Sequence, residues 1–216
     1  MSAIIMNIIL FGAPGVGKGT QAKFISKKYN IKIISTGDIL RNEINKNTIL
    51  GKKISNVINS GKLINDKLII KIIKKYILKN NLKNKILLDG FPRTIEQAYS
   101  IDNIGLNITY VFELIALHNT LIKRILGRRI DSSSGKTYHV KNILKKRKIS
   151  KDKLTIRRDD NIKTAKKRIK IYLKNQKKII DFYKKKSINK KIKFHKIDCN
   201  KTIKEINENI SKILDI

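Results

Sequence analysis

Four short apolar runs stand out along the chain, at residues 7–11, 31–34, 85–88 and 108–114, and a last strand-like stretch covers 191–198. The run Lys85-Ile86-Leu87-Leu88-Asp89 is continuous rather than alternating, the pattern of a strand covered on both faces. Between these runs lie stretches of helical period. They cover 21–29, a segment carrying Arg41 behind the capping side chains of 35–38, then 50–59 and 66–79. Further on come a segment carrying Gln97 with Thr94 as its cap, then 119–127, about 161–185, and 202–214. The helix over 119–127 is expected to deliver Arg124 and Arg128. Strands alternating with helices predict an α/β fold, a parallel sheet with helices on both faces. Isoleucine fills many surface-compatible positions and blurs the ends of these elements more than their type. The segment 131–156 has no long helical period and reads as a small mobile lobe.

Between the first strand and the first helix lies Gly12-Ala13-Pro14-Gly15-Val16-Gly17-Lys18-Gly19-Thr20. Glycines at 12, 15, 17 and 19 let the backbone turn its N–H groups inward and approach a ligand closely. Such a loop binds phosphate, the following helix adds its positive end, and Lys18 can reach forward to a β- or γ-phosphate. The general phosphate-binding loop places Ser or Thr directly after the lysine, as a ligand of Mg²⁺. Here Gly19 takes that place and the hydroxyl follows at Thr20.

Length, charge and cysteine content narrow the alternatives. The 216 residues suffice for one core with a small inserted lobe and are too few for two ordinary domains, so a single domain over 1–216 is expected. Residues 1–5 do not read as a signal peptide and are expected to be a dispensable extension. No apolar run approaches the roughly 20 residues of a membrane span. Cys199 stands alone, which excludes an intramolecular disulfide and a multi-cysteine zinc site and fits a reducing cytoplasm. A net charge of +34 would ordinarily point to nucleic acid or an anionic membrane. Lys, Ile and Asn, however, dominate the whole chain and share AT-only codons, so the charge follows from base composition without a polyanion partner. Against that bias the rare residues become markers. The two prolines are Pro14 and Pro92, and only nine of the 50 basic residues are arginine, the residue whose forked guanidinium binds phosphate bidentately where lysine cannot.

The loop GAPGVGKGT, followed in order by STGDILR (35–41), GKLI (61–64), LLDGFPRT (87–94), Gln97, GRR (127–129), SGKTYHV (134–140) and RRDD (157–160), resembles the long-lid adenylate kinases of bacteria across nearly the whole chain. The resemblance implies a P-loop core of five parallel strands, an AMP-binding helical section over about 35–64 and a lid over about 129–164. It implies Mg²⁺-dependent conversion of ATP and AMP into two ADP by a cytoplasmic monomer, with no specific nucleic-acid or membrane partner. Gly15, Val16, Gly17, Lys18, Gly19 and Thr20 would then hold the ATP phosphates, with Arg124, Arg128, Thr137, Tyr138 and a backbone contact at Lys201. Thr36, Arg41, Lys62, Leu63, Ile64, Gly90, Phe91, Pro92, Arg93 and Gln97 would hold AMP, Gln97 facing the adenine. Arg157 and Arg168 would close from the far side, aligned by Asp159 and Asp160. Asp89 would orient Mg²⁺ through its water shell. Lys18, Arg93, Arg124, Arg128, Arg157 and Arg168 form the implied catalytic set.

Phosphoryl transfer suits these residues because it needs in-line positioning and charge neutralisation more than a nucleophilic side chain. Taken singly, Asp89 has a second, less favoured reading as a helix cap or a strand-end carboxylate paired with lysine, and Arg168 reads as a solvated helix charge. Tyr138 and His139 read as lid packing, and Lys141–Lys153 as a solvated lid face. Arg129, Arg147 and Arg158 receive no role. The lid lacks the four metal-binding side chains of many long lids, so zinc is not expected, and Asp131, Ser134 and Ser150 would supply a reduced polar network. Two other readings compete: a kinase of UMP or CMP, and a basic P-loop protein that binds nucleic acid.

Overall fold

A computed structural model describes residues 5–133, 135–143, 151–189 and 192–215; Ser134, Lys145–Lys148 with Arg147, Ser150 and the first four residues lie outside the described residues. In chain order the elements are β1 (Ile8–Gly12), α1 (Lys18–Tyr29), β2 (Lys32–Ser35), α2 (Thr36–Asn45), α3 (Ile49–Asn59), α4 (Asp66–Lys79), β3 (Ile86–Asp89), α5 (Ile95–Asn103), β4 (Tyr110–Ile115) and α6 (His118–Leu126). Then come β5 (Arg128–Asp131), β6 (Thr137–His139), α7 (Val140–Ile143), β7 (Leu154–Thr155), α8 (Ile162–Ile188), β8 (Lys193–Asp198) and α9 (Ile203–Leu214).

Five strands form a parallel sheet in the order β2-β3-β1-β4-β8. Alternate side chains of each strand feed two cores. Ile8, Leu10, Leu87 and Phe112 pack with Ile25 of α1 and Ile206, Ile210 and Leu214 of α9. Ile9, Phe11, Leu88 and Val111 pack on the other face with Ile69 and Ile73 of α4, Ala98 and Ile101 of α5, and Ile179 and Tyr183 of α8. Coverage of both faces is why the strands read as unbroken apolar runs. At the opposite edge from the loops described below, buried Asn7 ties three segments together. Its Nδ2 donates to the carbonyls of Lys83 and Asn107 at 3.0 and 2.9 Å, and its Oδ1 accepts from the Ile86 N–H at 3.2 Å. A buried amide satisfied at both ends offsets its desolvation and fixes strand register.

Register places Gly12, Ser35, Asp89 and Leu114 at one edge of the sheet, since Ser35 pairs with Asp89, Leu10 with Asp89, and Gly12 with Leu114. The chain leaves β1 toward β2 and β3 on one side and later returns to β4 on the other. That reversal beside β1 creates the crevice in which open parallel sheets bind ligands.

Two of the boundary differences from the sequence reading bear on the loop after β1 and on Arg128. α1 starts at Lys18 rather than Gln21, with Gly17 as its cap, so Lys18, Gly19 and Thr20 belong to the first helical turn. α6 ends at Leu126 and Arg128 opens β5, so Arg128 comes from a strand and not from the helix that carries Arg124. The inserted lobe is an antiparallel sheet in the order β6-β5-β7. None of its described strand residues is buried, whereas every residue of β1 is. Among the described residues no helix is long and apolar enough to cross a membrane.

A lobe with so little buried surface opens locally at lower cost than the core. Backbone amides of β5 and β6 are expected to exchange with deuterium at least ~10-fold faster than those of β1 and β4. Equal protection in the two sheets, measured by hydrogen-exchange mass spectrometry, would refute this.

Candidate active site

Close approach of backbone to backbone dictates the loop after β1. A Cβ at Gly12, at φ 155°, would lie 2.6 Å from the Leu114 carbonyl oxygen, and one at Gly15, at φ 83°, would lie 2.6 Å from that of Leu121. Any other residue would strain the backbone and collide with it. The apolar side chain of Val16 is buried, leaving its backbone to the loop. α1 begins without a side-chain cap, so its first turn keeps the anion-binding character of a helix N-terminus. Lys18 folds back over the loop, its Nζ donating to the carbonyls of Gly12 at 2.7 Å and Ala13 at 3.0 Å. Gly19 and Thr20 are exposed.

Asp89 ends β3 at this edge, and a Cβ on Gly19 would stand 3.7 Å from its Oδ2. The Asp89 carbonyl accepts from Thr36 Oγ1 at 3.0 Å. Gly90 is squeezed between two site residues: a Cβ there would lie 2.7 Å from Thr36 Oγ1 and 2.9 Å from an Nη of Arg93. Arg93 Nε donates to the Gly90 carbonyl at 2.7 Å, and the Phe91–Pro92 bond between them is cis. Gln97 is buried and its Oε1 accepts from the Arg93 N–H at 2.7 Å.

Around this core Arg41, Arg128, Arg157 and Arg168 converge with Lys18 and Arg93. Three of the six cations have carboxylate partners. Arg128 makes a forked pair with buried Asp160, Arg168 pairs with Asp159, and Arg41 with Asp38. Lys18, Arg93 and Arg157 have none: among the described residues no carboxylate hydrogen-bonds to them, and the buried Nε of Arg157 lacks any partner. Arg41 and Arg157 also line a cleft between α2, α3 and the 157–159 segment, with Ile44, Lys52, Ser55 and Ile58.

The unpaired charges are strained. Burial pulls Lys18 down to about 8, with Arg93, Arg168 and Arg128 adding to the effect and Asp89 opposing it. Burial and the neighbouring Arg168 bring Arg93 to about 10, and burial with Arg128 and Arg41 brings Arg157 to about 10. Both guanidiniums stay charged at any working pH, so the shifts measure how poorly their charge is compensated. Burial pushes the Asp89 carboxyl up, against the pull of Lys18 and Arg93. The crevice is therefore built for a ligand that brings several negative charges.

A family model described as adenylate kinase matches residues 10–188. The adenylate kinase of Francisella tularensis subsp. holarctica (strain OSU18) is 46% identical over 211 residues, spanning 95% of this chain and 97% of that protein. That of F. tularensis subsp. novicida is likewise 46% identical with the same coverage, and that of F. philomiragia is 45% identical over 95% of this chain and 98% of its own length. The chain belongs to the adenylate kinase family. The five-stranded parallel core is the fold of that family.

Other residues singled out by sequence lie at the margin of the cation cluster. Arg124 donates to the carbonyls of Val16 at 3.1 Å and Cys199 at 2.8 Å, joining the phosphate loop to the turn that carries exposed Lys201. Thr137 and half-buried Tyr138 lie on β6, opposite Ile130 and Arg129. His139 is hydrogen-bonded: its Nε2 is 3.2 Å from the Lys123 carbonyl of α6 and its Nδ1 accepts from the Lys141 N–H at 3.3 Å. Lys62 is exposed, Leu63 half-buried and Ile64 buried in the loop before α4. Arg129 donates to the carbonyls of Leu126 and Arg128, and exposed Arg158 lines the cleft that Arg41 and Arg157 share. Asp131 of the expected lid network accepts from the N–H and hydroxyl of Ser133. Sequence reading gave Asp38 only a share in capping α2, where Ser35 is the cap and Asp38 pairs with Arg41, and gave no role to Asp66, which carries only the signal of a helix-start acid.

Lys18 supplies a pH test. A polyanion favours its charged form, so binding should draw a proton onto the protein near pH 8 and weaken as the free lysine deprotonates. ATP affinity is expected to be flat below pH 7 and to fall by up to about tenfold per pH unit above the free lysine's pKa. Lys18→Met should bind weakly and lose that slope. Flat wild-type affinity to pH 9.5, by titration calorimetry, would show that Lys18 does not meet the ligand.

Proposed function

We propose that this protein is a monomeric, cytoplasmic ATP:AMP phosphotransferase that interconverts ATP and AMP with two ADP. The observation that carries the reading is the convergence of Lys18, Arg93 and Arg157, cations to which no carboxylate hydrogen-bonds among the described residues, with Arg41, Arg128 and Arg168 at the switch point of the sheet. Membership of the adenylate kinase family supplies the substrates.

An oxygen of the AMP phosphate attacks the γ-phosphorus of ATP as the bond from that phosphorus to the β-γ bridging oxygen breaks, leaving ADP on both sides. The attacking oxygen is already anionic, so no general base is required. The backbone of Gly15–Thr20 cradles the ATP phosphates while Lys18 exchanges its carbonyl contacts for phosphate oxygens. Arg124 and Lys201 flank the adenine side, and Thr137 and Tyr138 approach with the lobe. Thr36, Arg41, Arg93 and the segments Lys62–Ile64 and Gly90–Pro92 enclose AMP, with Gln97 on its base side. Arg128, Arg157 and Arg168 neutralise the charge spreading over the transferring group, with Arg128 held by Asp160 and Arg168 by Asp159. Closure of the β5-β6-β7 lobe excludes water, which would otherwise hydrolyse ATP.

The residues fit Mg²⁺. Among the described residues no side chain hydrogen-bonds the Asp89 carboxylate, and exposed Thr20 follows Gly19, whose Cβ position stands 3.7 Å from Asp89 Oδ2, a hard-oxygen donor set. Bound with ATP, the ion would screen the phosphate oxygens, with Asp89 and Thr20 orienting its water shell.

Purified protein is expected to form ADP from ATP and AMP, to stop when EDTA removes Mg²⁺, and to use UMP, CMP and GMP poorly. Arg93→Ala and Arg157→Ala should each lower kcat about 10²- to 10³-fold with the fold intact by circular dichroism. Faster turnover with UMP or CMP would select the pyrimidine reading. Absence of turnover together with salt-resistant, sequence-selective retention on nucleic acid would select the binding-protein reading.

A further inference from the structure

Asp66 opens α4 directly after the Lys62–Ile64 loop, where an acid is ordinarily explained by the positive end of the helix. Its carboxylate is used differently. Oδ1 accepts from Gln97 Nε2 at 2.6 Å, and Oδ2 accepts from Thr94 Oγ1 at 2.9 Å. Thr94 in turn caps α5 by accepting the Gln97 N–H at 3.2 Å. At its other end the Gln97 amide oxygen accepts the Arg93 N–H. One carboxylate thus ties the loop before α4 to the 90–97 segment, the two walls between which the proposed acceptor nucleotide sits.

The chemistry of these contacts fixes which way round the Gln97 amide points. Reversed, its oxygen would face the Asp66 carboxylate and its NH₂ would face the Arg93 N–H, repulsive at both ends. Gln97 is 2% exposed, so water cannot stand in for either partner. The amide keeps one N–H and one oxygen lone pair in a set order before any nucleotide arrives. A purine edge with a ring-nitrogen acceptor beside an exocyclic amine complements one order, and an edge with a carbonyl beside a ring N–H complements the reverse.

We propose that Asp66 is a positioning residue that sets base preference at the acceptor site by holding the Gln97 amide in one orientation. This rests on the acceptor-site reading given above. Asn at 66 can donate or accept, so only the Arg93 N–H is left to bias the orientation. The experiment compares wild type, Asp66→Asn and Thr94→Ala by titration calorimetry with AMP, GMP and ATP, and by ADP formation. Thr94→Ala removes the second contact of Asp66 and the α5 cap but leaves the carboxylate on Gln97, and so reports the purely structural effect. Asp66→Asn is expected to weaken AMP binding about tenfold and GMP binding far less, so that the AMP-over-GMP ratio drops at least ~5-fold while ATP affinity stays within about twofold. Thr94→Ala is expected to keep the wild-type ratio whatever it costs in thermal stability. An unchanged ratio in Asp66→Asn overturns the proposal. So does equal weakening toward AMP and GMP, or an equal loss of ratio in Thr94→Ala. A wild type that binds AMP but forms no ADP refutes the enzymatic reading alone, since the ratio is read from binding; a wild type that binds neither monophosphate overturns both.

Discussion

Repulsion among cations is the constraint on which the crevice depends. Six basic groups crowd around the end of β1, partly buried, and burial together with neighbouring cations disfavours the charged forms of Lys18, Arg93, Arg157 and Arg168. At partly buried separations like-charge repulsion amounts to a few kcal/mol per close pair. Three pairings make the cluster tolerable. Asp160 takes both arms of Arg128, Asp159 takes Arg168, and Asp38 takes Arg41. What remains uncompensated, at Lys18, Arg93 and Arg157, is the part that a polyanionic ligand can relieve. Stability of the free protein and affinity for the ligand are thus opposed through the same side chains.

Holding such a cluster requires a scaffold that does not yield. The sheet supplies it by being packed on both faces, and by strand ends fixed at two edges. Asn7 joins the segments at one edge, and the close contacts of Gly12 with Leu114 and of Gly15 with Leu121 lock the loop at the other. Gly90 shows how little slack there is, since a single methyl group would collide with both Thr36 and Arg93. Electrostatic preorganisation of this kind moves its cost from the reaction to folding.

The sequence made the core and most of the cation set legible because both leave local signatures. Unbroken apolar runs mark strands covered on two faces, and arginine stands out in a lysine-rich chain. Legibility fails where the reason is non-local. Arg128 looks like the continuation of α6, but Gly127 ends the helix, and a Cβ there would lie 2.2 Å from His139 Nε2. The β5-β6-β7 strands are two to four residues long and half-exposed, so they leave neither a run nor an alternation to read. Lys18 and Arg124 pair with backbone carbonyls, which no side-chain pattern encodes. Asp66 reaches partners 28 and 31 positions away, and its identity alone resembles that of any helix-start acid.

The large net charge and the crevice are separate features, because burial and screening act on them differently. Exposed lysines, as along α8, sit in water where salt screens them beyond about 8 to 10 Å, and their ion pairs contribute little. Lys18, Arg93 and Arg157 lie in a partly dry site where the same charge acts at much lower effective dielectric. A nucleotide approaching the molecule feels the surface field first, which raises its encounter rate in a salt-dependent way. Once it is inside, only the few uncompensated cations distinguish a polyphosphate from any other anion. The marker for chemistry in this chain is thus not the number of positive charges but the three buried cations of the site to which, among the described residues, no carboxylate hydrogen-bonds.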